Sequence, residues 1–137
     1  MSLKAIPLIV IALIAYNALV LLGGDKSPDD ILSAPVFEIG MVHDTRWVFR
    51  RGDVVLLLVL VLLFVELLKS TYTATHSLVN HALSMLVFVV CLIEFLMVKQ
   101  AASSVFFFIT VAAFIDVIAG YTISVRMARR DLQIGSE

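Results

Sequence analysis

Four long apolar stretches, at about residues 5–22, 54–74, 80–98 and 102–125, set the terms for everything else in this chain. An α-helix needs roughly 20 mostly apolar residues to cross a hydrocarbon core about 30 Å thick, and each stretch is near that length. The composition points the same way. The chain is 61% apolar and 15% charged, with a mean hydropathy of +1.06, against about 45–50% and about 25% in an average soluble domain. These values exclude a water-soluble monomer, a disordered chain and a collagen-like one. Ten basic against eleven acidic residues exclude a generic nucleic-acid binder, and a single cysteine, Cys91, excludes a disulfide framework.

The expected architecture is all-α: one polytopic membrane domain over 1–137, built as an antiparallel four-transmembrane-helix bundle. The first stretch is read as a span and not a signal peptide, because its apolar run is long and Leu21-Leu22-Gly23-Gly24 is a poor cleavage site. Residues 23–52 form the long first connection, and 126–137 a basic C-terminal tail. Three reversals put Lys4, Lys69, Arg126, Arg129 and Arg130 on one side and Lys26, Arg46, Arg50, Arg51 and Lys99 on the other. The basic count is tied. The arginines directly after the fourth stretch, and the acids diluting the long connection, favour cytoplasmic N- and C-termini.

Within the connection, Ser27-Pro28-Asp29-Asp30 is a helix start, with an N-cap hydroxyl, proline at the first helical position and acids in the first turn. Pro35 limits that helix to about two turns. Val36–Val42 is apolar apart from Glu38 and too short to span, so it is expected as a short amphipathic, interfacial segment, anchored by Trp47 and the following arginines.

Ionisable groups inside a span cost about 2.5–3.5 kcal/mol each even on the lenient insertion scale. Three are present: Glu66, Glu94 and Asp116. Counting at about 1.5 Å per residue puts Glu66 and Asp116 at one depth and Glu94 in the opposite half. Lys69, at i+3, is the nearest partner for Glu66 and the best candidate for Asp116. These four residues are the candidate polar or ion site. In the fourth stretch Ser104, Phe108, Ala112, Asp116, Gly120 and Ser124 recur every four residues, as a stripe of small and polar groups suited to close helix approach. The third stretch has a similar stripe in Asn80, Ser84, Val87, Cys91 and Glu94. His76 and His81 are expected at the interface as solvated side chains, with His43 on the other side, and Asn17 as a cross-bundle hydrogen-bonding group.

No nucleophile, base and oxyanion set, metal signature or Gly-rich phosphate loop is visible, so catalytic residues, metal and cofactor are expected to be none. Asp30-Ile31-Leu32-Ser33-Ala34-Pro35 stands before the second stretch, Glu66 and Lys69 near its end, and His81 opens the third. In these features the layout resembles the phosphate-starvation-inducible PsiE-type family of small four-helix bacterial membrane proteins. The resemblance covers about residues 28–125 and implies an inner-membrane, stress-related protein without a catalytic residue. The expected function is non-enzymatic: helix–helix association in the lipid bilayer, as a homo-oligomer or an accessory subunit of a larger membrane complex. The alternative is an oligomeric proton, cation or small-solute pathway using the intramembrane carboxylates.

Overall fold

A computed structural model describes residues 6–72 and 78–135, apart from the side chains at positions 72, 78, 124, 127 and 131. Lys4, His76 and the side chain of Ser124 therefore lie outside the described residues. The chain runs α1 (Ile9–Leu22), α2 (Pro28–Leu32), β1 (Pro35–Gly40), β2 (Arg46–Arg50), α3 (Arg51–Tyr72), α4 (Leu78–Met97) and α5 (Ser104–Gly135), with single 3-10 turns at Val42–Asp44 and Lys99–Ala101.

Three helical segments are long and apolar enough to cross a membrane: Arg51–Thr71, Val79–Met97 and Ser104–Gly135. The fourth expected span differs. α1 has 14 residues, a rise of about 21 Å, and falls short of a crossing on its own. Pro7 sets its start, because proline cannot donate to a helical ladder and fits only the first turn. At the other end of the chain, α5 continues through the basic segment to Gly135, a length of 32 residues.

α5 is the central helix. α3 and α4 pack on either flank of it and make few contacts with each other among the described residues, while α1 lies against both α3 and α5. α1 contributes a stripe of Ile9, Ala12, Tyr16 and Val20, at spacings of three and four. It meets Val55 and Val59 of α3 and Phe106, Ile109, Ala112 and Ala113 of α5. On α4, Cys91 is the one fully buried residue described. Ring contacts join that helix to α5: Phe95 stacks 6.2 Å from Phe106, and Phe88 lies 5.2 Å from Phe114.

The connection between α1 and α3 is where the expected architecture needs correcting. α2 forms as its residues dictate: the Ser27 hydroxyl accepts from Asp30 N at 3.2 Å and Pro28 opens the helix. Beyond α2 the expected single segment is one strand of an antiparallel hairpin, pairing Phe37 with Phe49, Glu38 with Val48, Ile39 with Trp47 and Gly40 with Arg46. The physical reason is period-two alternation. Phe37 and Ile39 share a face with Trp47 and Phe49, whereas Glu38 and Arg46 share the other and lie 3.7 Å apart. His43 and Asp44, both at positive φ, close the end of the hairpin.

Gly23, which caps α1, is required for space and not for conformation, since its φ is −74°. A Cβ there would overlap the side chain of Ile31, which is buried where α2 folds back on α1. Gly23→Ala is expected to cost about 1–3 kcal/mol through overpacking, read as a lower melting temperature in detergent. Adding Ile31→Val should recover part of it.

Candidate intramembrane polar site

The first polar cluster begins with a helix that has no cap of its own. Ile6, Pro7 and Leu8 offer no side-chain acceptor, and Leu8 stands at the N-cap without a side-chain cap bond. Val10 and Ile11 turn back onto the carbonyls of Pro7 and Leu8, and Pro7 carries no N–H. The Leu8 N–H is left over. It donates to Oε2 of Glu66, across from α3, at 3.1 Å. A carboxylate there also lies at the positive end of the helix dipole. Glu66 thus caps α1, a role that its spacing to Lys69 does not reveal.

Asp116 is 5% exposed and lies within electrostatic range of both Glu66 and Lys69. The structure brings these three groups of the candidate site together at one level. Ser70, one turn after Glu66, is buried and returns its hydroxyl to the Glu66 carbonyl at 2.9 Å. His81 also reaches this end of the bundle. It is half-buried, with its ring 6.2 Å from that of Tyr121. Gly120 faces it without being required for the approach: a Cβ there would stand 3.8 Å from His81 Cε1, an ordinary van der Waals contact.

Glu94 does not join them. It is half-buried near the other end of α4, within electrostatic range of Tyr16 and Cys91. There a second cluster is organised by Tyr16, which is 0% exposed. Its hydroxyl donates to the Gln100 carbonyl at 2.8 Å and lies 2.6 Å from Ser103 Oγ. With the tyrosine proton spent on the carbonyl, Ser103 donates to Tyr16 and accepts from Phe106 N at 3.2 Å, capping α5. From Ser103 to Asp116 along α5 is about 20 Å, and the space between holds Phe106, Ile109, Ala112 and Ala113, together with the buried Thr110, whose hydroxyl donates to the Phe106 carbonyl at 3.1 Å. The two clusters are separated by a largely apolar layer.

Neither Tyr16 nor Ser103 stands out among the polar residues of the sequence. A usable signal lies in a tyrosine within an apolar stripe, because a buried phenol needs a polar partner. Asn17, expected to bond across the bundle, instead donates to the Leu13 carbonyl of its own helix at 3.0 Å.

The stripe on α5 needs a second correction. Ala112 and Asp116 are buried and Gly120 is half-buried, but Ser104 and Phe108 are exposed. A step of four residues overshoots a helical turn by about 40°, so a strict four-residue series drifts off the contact face. The face that packs is Phe106, Ile109, Ala113 and Asp116. On α4 the steps alternate four and three, and Asn80, Ser84, Val87, Cys91 and Glu94 all stay off the exposed surface.

Among the described residues, no three His, Cys, Asp or Glu side chains are grouped to hold a metal ion. No family model, curated protein or solved structure matches the chain.

If Glu66 serves as the cap of α1, what counts is the acceptor and not the charge. Glu66→Gln is expected to leave thermal unfolding in detergent nearly unchanged. Glu66→Leu, which strands the Leu8 N–H, should cost about 1–3 kcal/mol.

Proposed function

We propose that this chain is a small, non-enzymatic integral membrane protein that acts by lateral helix association, as a homo-oligomer or an accessory subunit of a larger membrane complex. α3, α4 and α5 would cross a cell inner membrane, and α1, which runs back beside them from the level of Ser103 to that of Glu66, would return the chain's start to the side of the C-terminus, leaving both termini cytoplasmic. One observation carries the association reading. Between α3 and α5 runs a groove of about 300 Å³, lined by Leu56, Val59, Leu60, Leu63, Phe108, Val111, Ala112 and Ile115. No polar side chain and no residue of α1 enters this lining. A concave strip with an alanine in its wall suits a ridge of side chains from another helix, and close packing is what drives helix pairing in lipid. The resemblance of residues 28–125 to the PsiE-type family supports a stress-related role in a bacterial inner membrane.

The burial of Asp116 beside Glu66 and Lys69 favours a second reading, a proton or cation pathway in an oligomer. Against it stand the cap role of Glu66 and the largely apolar layer between Asp116 and Glu94, whose buried Thr110 hydroxyl is bonded within its own helix.

Native mass spectrometry and cross-linking of Leu60→Cys in lipid nanodiscs test the association. Val111→Trp fills the groove from a half-buried position, and is expected to weaken association about tenfold with the melting temperature little changed. A monomer at every protein-to-lipid ratio would overturn the reading. Reconstituted vesicles with a pH-sensitive dye are expected to show no proton flux; a flux abolished by Asp116→Asn would establish the pathway instead.

A further inference from the structure

The hairpin β1–β2 leaves an aromatic face that nothing among the described residues covers. Phe37, Ile39 and Trp47 are exposed on it, and Phe49 is half-buried. The rings hold one another: Phe37 stacks on Phe49 at 4.8 Å, and Trp47 meets Phe49 edge-on at 5.5 Å. This is a preformed surface and not a set of scattered side chains. Met41 and Val42 extend the exposed apolar surface into the turn.

Two further observations say what this face meets. β2 ends at Arg50 and α3 begins at Arg51 with no residue between, so the hairpin is rooted where the apolar helix starts. The charges at that root are also unbalanced in a particular way. Glu38 is engaged with Arg46 at 3.7 Å, Asp53 accepts the Arg50 N–H at 2.9 Å, and Asp30 belongs to the cap of α2. Among the described residues, Arg50 and Arg51 form no ion pair. Two free guanidinium groups beside a cluster of Trp and Phe complement a phosphate layer lying over hydrocarbon. The arginines pair with phosphate, and the rings sit at headgroup depth.

The geometry points to the phospholipid headgroup layer as the partner of this hairpin, with the face of Phe37, Ile39, Trp47 and Phe49 turned into the bilayer and Arg50 and Arg51 on lipid phosphates. The inference rests on α3, α4 and α5 spanning a membrane, and it adds that the connection lies on the bilayer instead of standing clear of it. A hairpin held that way also fixes the angle and depth at which α3 enters.

Trp47 is the single tryptophan of the chain, so its fluorescence reports this face alone. The full chain is reconstituted into phosphatidylcholine vesicles carrying lipids brominated near the headgroup or deep in the acyl chain. The expected result is blue-shifted emission, stronger quenching by the shallow bromines than by the deep ones, and weak quenching by aqueous acrylamide. Combining Trp47→Phe with Glu38→Trp moves the indole to the opposite face, where acrylamide should reach it and the brominated lipids should not. Protein that floats with the vesicles and resists alkaline carbonate, but whose Trp47 is open to acrylamide and blind to bromine, overturns the inference and leaves the spanning reading intact. Shielding from acrylamide that grows with protein-to-lipid ratio without bromine quenching also overturns it, because a second copy then covers the face. Failure to float sinks the spanning reading, and this inference with it.

Discussion

The fold depends on hydrogen bonds that α1 cannot make for itself. A helix start in apolar surroundings leaves N–H groups with neither water nor a neighbouring turn to accept them, and each orphan costs about 1–3 kcal/mol. The Leu8 N–H reaches across to Glu66 of α3, and Tyr16 reaches the Gln100 carbonyl and Ser103 beside the start of α5. Both attachments run between helices, so they locate α1 as well as satisfy it. With α1 located, the stripe of Ile9, Ala12, Tyr16 and Val20 closes over Val55, Val59, Phe106 and Ile109. Apolar burial then adds stability but little direction, since leucine-rich faces fit many arrangements about equally well. The few polar contacts select one of them.

The same contacts decide how the acids of the apolar stretches are to be understood. Glu66 has a structural duty, and its charge lies at the end of a helix dipole that favours it. Asp116 shares its level with Glu66 and with Lys69, which offsets part of the negative charge there. Glu94 belongs to the opposite cluster around Tyr16. A relay between the two levels within one chain would have to pass Phe106, Ile109, Ala112 and Ala113, and the Thr110 hydroxyl among them is bonded to the Phe106 carbonyl of its own helix. This is why the geometry favours packing over conduction, and why a pathway would require an oligomer.

Much of this is legible in the sequence, for reasons that differ from residue to residue. Counting residues from the ends of the apolar stretches places Glu66 and Asp116 at one level and Glu94 at another, because a helix rises uniformly and depth needs no knowledge of packing. The face of α5 is harder, because a four-residue series looks like a stripe over two turns and leaves it over five. Ser104 and Phe108 are the residues that drift away. The hairpin is hidden by its shortness. Val36–Val42 is nearly all apolar, and only pairing with Arg46–Arg50 reveals that Phe37 and Ile39 alternate with Glu38 in a meaningful way. The cap of α1 is invisible to local reading, since its acceptor is 58 residues away. The sole local clue is negative: Ile6-Pro7-Leu8 begins a helix with no capping side chain.

The layout divides the molecule's surface between two tasks. α1 occupies one side of the α3–α5 pair, and its polar attachments make that side specific to this chain. The apolar groove that takes in Leu60, Val111 and Ile115 receives nothing from α1, and ring contacts and Cys91 join α4 to the bundle. Those outward faces carry no internal polar requirement, so substitutions there are expected to disturb folding little. Substitutions at Glu66, Tyr16 or Ser103 do the opposite, because an unsatisfied donor or acceptor in apolar surroundings is felt by the monomer before any partner arrives. The buried polar atoms therefore specify the fold of this chain, while the groove and the outer side of α4 stay apolar and uncovered among the described residues.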